Sequence, residues 1–162
     1  VIIPGTGVVM NNQMDDFSAQ PGVPNIYGLV GTEANSIAPG KRPLSSMSPT
    51  IVLKNGKPVM TIGAAGGPTI ITQVVLGLIS YLDLNMPLYE AIAAPRIHHQ
   101  WRPESLYIEK NMPSVIRSGL ELKGHATKTM WPYGSTQAIA IDDNGVFTPV
   151  AEPRLKERNK VK

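Results

Sequence analysis

The run from Thr50 to Leu82 constrains this 162-residue chain more than any other. Thr50-Ile51-Val52-Leu53-Lys54 and Pro58-Val59-Met60-Thr61-Ile62 flank Asn55-Gly56, the pair that tolerates positive φ at both central positions of a two-residue hairpin. The segment therefore predicts two antiparallel strands. Gly63-Ala64-Ala65-Gly66-Gly67 follows, and then Ile70, Val74, Leu78 and Leu82 recur at a spacing of four, with Val75 and Ile79 widening the stripe. That period predicts a buried helix over about residues 68 to 83. Pro68 suits its first turn, where a missing N–H costs nothing.

Further elements follow from the same rules. A short helix is expected between Pro87 and Pro95, with Leu88, Ala91 and Ile92 inward and Glu90 near its positive end. Arg96 to Gln100 reads as extended. Pro113 to Lys123 reads as a third helix with Val115, Ile116 and Leu120 inward and Gly124 just past its end. Ser135 to Ile141 and Val146 to Pro149 form another strand pair around Asp142-Asp143-Asn144-Gly145. Strand runs with helices on one side predict an α+β layered fold in a single domain over residues 1–162. The start at Val1, without an initiator methionine, reads as a processed product or an excised piece of something longer.

Residues 4–49 are different. Gln20-Pro21-Gly22-Val23-Pro24-Asn25 and Ala38-Pro39-Gly40-Lys41-Arg42-Pro43 enforce turns. A loop this long inside a domain is functional or disordered, and Phe17, Tyr27, Leu29, Val30 and Met47 argue against plain disorder. Composition removes several function classes. The chain has no cysteine, which excludes disulfides and thiolate sites. No apolar run reaches the roughly 18 residues that span a bilayer. The formal charge is +3 with 6% aromatic residues, and the most basic stretch is a tail in which Arg154, Lys156, Arg158, Lys160 and Lys162 alternate with other residues, read as a solvated end. That pattern argues against nucleic-acid binding, which needs a clustered basic face with stacking aromatics.

Four constellations could carry chemistry. Asn11-Asn12-Gln13-Met14-Asp15-Asp16-Phe17 packs carboxamides beside carboxylates; Gln13 and Asp16 offer acceptors suited to an ammonium group, while the plain alternative is a turn whose side chains bond their own backbone. Pro43-Leu44-Ser45-Ser46-Met47-Ser48-Pro49 pins three hydroxyls between prolines, either to meet a carboxylate through Ser45 and Ser46 or as an ordinary turn. Gly66-Gly67 before a helix start suits a developing oxyanion; it is not a phosphate loop, because no Lys and hydroxyl follow. His98 and His99 fall on opposite faces of an extended segment and cannot readily share a metal, so structural hydrogen bonding is the expected role. There is no Gly-x-Ser-x-Gly elbow for a serine triad.

Taken in order, Asn11 to Phe17, Pro21-Gly22-Val23-Pro24-Asn25, Gly40 to Pro49, Pro95-Arg96-Ile97-His98-His99-Gln100-Trp101 and Gly134-Ser135-Thr136-Gln137 resemble the small subunit of the gamma-glutamyltransferases, also called glutathione hydrolases. The resemblance implies an N-terminal-nucleophile hydrolase with a four-layer α-β-β-α sandwich, present here in part. It implies a precursor that cuts itself into large and small subunits and a threonine nucleophile upstream of Val1, absent from this chain. Gln13 and Asp16 would hold the α-amino group of the gamma-glutamyl substrate, Ser45 and Ser46 its α-carboxylate, and Gly66 and Gly67 the oxyanion. Tyr27 would belong to a lid in the loop-rich segment 4–49. The threonine hydroxyl would attack the gamma-glutamyl amide of a compound such as glutathione, its own amine acting as base, and pass the acyl group to water, an amino acid or a peptide. No cofactor and no metal are implied.

The resemblance also makes the large subunit a partner and the periplasm or the exterior of the cell the expected location, and the isolated chain is expected to be inactive. Unpaired sheet edges would invite self-association into homo-oligomers. Ala64, Ala65, Pro68 and Thr69 replace the serine, proline, serine and arginine usual around the two glycines, which is expected to remove the hydrogen bonds that support them. Two other readings stay open: an acylase on the same fold, and a non-catalytic protein that binds gamma-glutamyl compounds or is purely structural.

Overall fold

Asn55 at φ 53° and Gly56 at φ 77° turn the chain back on itself, and the strands they join are β1 (Thr50–Lys54) and β2 (Lys57–Gly63). They pair antiparallel from Lys54 opposite Lys57 to Thr50 opposite Ile62, with a bulge between Val52 and Leu53. The computed structural model describes residues 2–130 and 134–158, without the side chains of 157 and 158; Val1, Lys160 and Lys162, which bore on the readings above, lie outside it. The chain divides into two compact units, Val1–Ser45 and Ser46–Lys162.

The second unit follows the apolar pattern. Helix α1 (Thr69–Leu78) continues through a π-helical turn, Ile79–Asp83, and α2 spans Leu88–Ala93. Then come β3 (Ile97–His98), β4 (Leu106–Glu109), α3 (Ser114–Leu122), β5 (Thr127–Met130), β6 (Gln137–Ile141), β7 (Phe147–Ala151) and α4 (Pro153–Arg158). Strands β1-β2-β6-β7 form an antiparallel sheet. A smaller sheet, β3-β4-β5, pairs β4 with β5 in parallel, with α3 in the connection. The α+β fold class expected from the sequence holds.

The core lies where α1 and α2 meet the larger sheet. Alternation along β2 and β6 turns Met60, Ile62, Ala138 and Ala140 to one face, where Ile70, Val74, Leu88 and Ile92 cover them. The inward face of α1 is Ile70, Gln73, Val74 and Gly77. Val75, Ile79 and Leu82 from the expected stripe are exposed. The helix is rotated so that Gly77, its smallest residue, faces the sheet; a Cβ there would sit 2.7 Å from Ile62 Cδ1. Helix α3 also departs from expectation. Val115 and Ile116 are exposed and no residue of α3 is buried; the helix meets β5 through polar side chains, with Arg117 reaching the hydroxyls of Thr127 and Thr129 and the Thr127 hydroxyl donating to Glu121.

The first unit has little apolar core, Phe17 being its one buried large hydrophobic side chain among the described residues. Asparagines do the work of a strand ladder. Asn25 donates to the Asp15 carbonyl at 3.0 Å and accepts from the Tyr27 and Leu29 N–H groups. Asn35 donates to the Asp16 carbonyl at 2.8 Å and accepts from Leu44 N–H. These carboxamides give a loop-rich segment one conformation by satisfying backbone groups that no sheet satisfies.

Candidate functional site

In the first unit, Gln13 and Asp16 open and close a single 3-10 turn. Asn11 Oδ1 accepts the Gln13 N–H, so the self-bonding turn foreseen as the plain alternative is present in part. It does not consume the functional groups. Gln13 is exposed and Asp16 half-buried, and among the described residues no protein group binds either side chain. Tyr27 is brought to this turn: Asn12 Nδ2 donates to its hydroxyl at 2.6 Å. Ser45 is exposed at the end of the unit.

In the second unit, Ser46 is half-buried and its carbonyl accepts from the Ser48 hydroxyl at 3.1 Å. The strand-to-helix turn after β2 holds Gly66 at φ 139°, a value that only glycine adopts at little cost, and Gly67 in the left-handed region at φ 57°. Pro68 has no N–H, and the Thr69 and Ile70 N–H groups close onto the Gly66 and Gly67 carbonyls. The Gly66 and Gly67 N–H groups meet no acceptor among the described residues. The loss of support expected from Thr69 does not occur: its hydroxyl donates to the Gly66 carbonyl at 2.8 Å.

Behind the turn stands Gln73, buried on α1. Its Nε2 donates to the Ala65 carbonyl at 3.2 Å and to Thr69 Oγ1 at 3.0 Å. Its Oε1 accepts from Ser135 N–H at 3.1 Å and Thr136 Oγ1 at 2.9 Å. Thr136 leads into a buried ionic cluster. Arg96 Nη2 bonds Thr136 Oγ1, Glu152 Oε2 and the Ile92 carbonyl. Arg154 forks onto Glu109 at 2.9 and 2.6 Å, reaches Glu152 at 2.9 Å, and donates to the carbonyls of Ile92 and Ala94. The guanidinium groups thus satisfy the carbonyls left open at the end of α2.

Arg154 is 6% exposed, so the solvated-tail reading fails at this residue: two carboxylates offset its desolvation. Burial pushes the Glu152 carboxyl up, but the Thr136 N–H bond, the charge of Arg96 and hydrogen bonds from Arg154 and Arg96 outweigh it and hold the group below the usual carboxylate range. Burial and the nearby Arg154 lower Arg96. The one trace of this cluster in the sequence is a set of charged or polar residues inside otherwise apolar surroundings: Gln73 on the helix stripe, Glu109 ending a buried strand.

His98 and His99 part as expected. His98 is buried between Thr72 Oγ1 and Gln100 Oε1, each at 3.0 Å, while His99 is exposed. No group of three or more metal-binding side chains occurs among the described residues.

The family model described as gamma-glutamyltranspeptidase matches residues 1–161. The chain belongs to the gamma-glutamyltranspeptidase family. It is 48% identical over 149 residues to the glutathione hydrolase proenzyme of Escherichia coli, covering 92% of this chain and 26% of that protein. It is 42% identical over 158 residues to the glutathione hydrolase proenzyme of Pseudomonas aeruginosa, covering 95% of this chain and 28% of that one. A solved structure of an acivicin-inhibited gamma-glutamyltranspeptidase superimposes with a TM-score of 0.89 at 47% identity, covering 95% of this chain and 84% of that chain. The fold is therefore that of the gamma-glutamyltranspeptidases. The chain spans about a quarter of the length of these two curated relatives.

Proposed function

We propose that this chain is the substrate-holding part of an enzyme that cleaves gamma-glutamyl amides such as glutathione. The observation that carries the reading is the glycine turn, where two adjacent N–H donors at a helix start meet no acceptor among the described residues, an arrangement suited to a tetrahedral oxyanion. Gln13 and Asp16 supply acceptors for an α-ammonium group, and Ser45 and Ser46 supply hydroxyls for an α-carboxylate. These roles rest on the family resemblance and on the chemistry of the side chains. Tyr27 is assigned to the cover of the substrate on the same basis.

The nucleophile is a threonine outside this chain, at the start of a longer small subunit formed when a precursor cuts itself, and the large subunit is the partner. Attack by that threonine gives an acyl-enzyme, which water, an amino acid or a peptide then resolves. The 162-residue chain alone is accordingly inactive. The whole protein is expected to release cysteinylglycine from glutathione and to leave acyl-lactams largely intact, while the purified chain releases none. Preference for acyl-lactams would favour an acylase, and a whole protein that binds glutamate without turnover would favour a non-catalytic role.

A further inference from the structure

We infer that Gln73, acting with Thr69, is the positioning residue that aims the Gly66 and Gly67 N–H groups; this rests on the reading of those groups as oxyanion donors. Hydrogen bonds and the planarity of the peptide unit carry the inference. In a trans peptide the C=O of one residue and the N–H of the next lie in one plane and point in opposite directions. The only cis bond among the described residues is Arg102–Pro103. The N–H of Gly66 therefore points opposite to the Ala65 carbonyl, and the N–H of Gly67 opposite to the Gly66 carbonyl. Gln73 bonds the first of these carbonyls and is linked to the second through Thr69, whose N–H also bonds that carbonyl at 3.3 Å. It bonds the Ala65 carbonyl directly at 3.2 Å. It reaches the Gly66 carbonyl through the Thr69 hydroxyl, which accepts from Gln73 at 3.0 Å and donates at 2.8 Å.

The buried Gln73 carboxamide and the Thr69 hydroxyl it supports thus fix the direction of both donors. Hydrogen bonds on the two carbonyls also polarise the same peptide units and strengthen their N–H groups as donors. The orientation of the carboxamide is set by its partners, since reversing it would put the NH2 group against the Ser135 N–H and the oxygen against the Ala65 carbonyl. Its oxygen is held in turn by Ser135 and Thr136, which tie it to the start of β6. Gly134 leaves the space this needs, because a Cβ there would overlap the Gln73 carboxamide and come within 2.7 Å of Arg96 Nη1. Gln73 makes no bond to the exposed edge of the turn, so its effect is on direction, not on contact with substrate.

The test compares Gln73→Met, Thr69→Val and Thr69→Ser in the whole protein, using a gamma-glutamyl anilide and normalising to mature enzyme. Gln73→Met and Thr69→Val are expected to lower kcat at least tenfold with KM changed less than about twofold, since misaimed donors fail in the transition state and not in substrate binding. Thr69→Ser, which keeps the hydroxyl, restores most of the Thr69→Val loss. Glycine-selective 15N spectra of the same proteins are expected to show the Gly66 and Gly67 amides shifted in the first two variants and near the parent values in Thr69→Ser. Shifted amides in a whole protein that hydrolyses no gamma-glutamyl amide would sink the proposed function and leave the positioning intact. Unshifted amides with unchanged kcat, or a change in KM alone, would overturn the role of Gln73.

Discussion

At the residue scale, Glu152 shows how much of this molecule rests on groups that neither periodicity nor propensity reveals. Two carboxylates and two guanidinium groups meet in a buried cluster of Arg96, Arg154, Glu109 and Glu152, and removing one member leaves an unpaired buried charge. Glu152→Gln is expected to cost about 3 kcal/mol of unfolding free energy near neutral pH. The pH dependence has a defined sign. The folded carboxyl is held below its ordinary value of 4.5, so its contribution is present above that value and is lost as the pH falls through the lower folded pKa. Urea unfolding as a function of pH should therefore show the parent and Glu152→Gln converging below the carboxylate range and separating above it. A constant gap across that window would contradict the assignment. Local motifs single out Gln13, Asp16, Ser45 and Ser46 as candidates, and the family resemblance adds Tyr27. Sequence alone does not reach Gln73 or Glu109, whose partners lie up to 63 residues away.

At the scale of elements, the hairpin, both long helices and the β6–β7 pair are legible because a turn residue or an apolar period marks each one. Strands β4 and β5 are not: Leu106-Tyr107-Ile108-Glu109 is too short to show a period, and Thr127-Lys128-Thr129-Met130 carries little apolar signal. The facing of α1 also escapes a stripe count, because packing distance decides it. Gly77 permits the helix to approach Ile62 and Ile92, 2.7 and 3.4 Å from where its Cβ would be. Gly77→Val should destabilise the protein by roughly 1–3 kcal/mol through overpacking, despite the helix propensity lost by keeping glycine. Calorimetry measures this directly; a variant as stable as the parent would mean that the close approach is not maintained in solution.

At the scale of the whole molecule, two kinds of order coexist. The unit Ser46–Lys162 is built on an apolar core between helices and sheet, and its glycine turn is backed by Gln73 and the ionic cluster. The unit Val1–Ser45 is built on asparagine-to-backbone bonds, and no protein group among the described residues binds the Gln13 or Asp16 side chain. The proposed role of Gln13 and Asp16 in holding an α-amino group is tested most directly by discrimination at that group. The measurement is kcat/KM of the whole protein for L-gamma-glutamyl anilide against glutaryl anilide, which lacks the amino group. A site built to bond that group should prefer the first by at least about a hundredfold; equal rates on the two anilides would contradict the account.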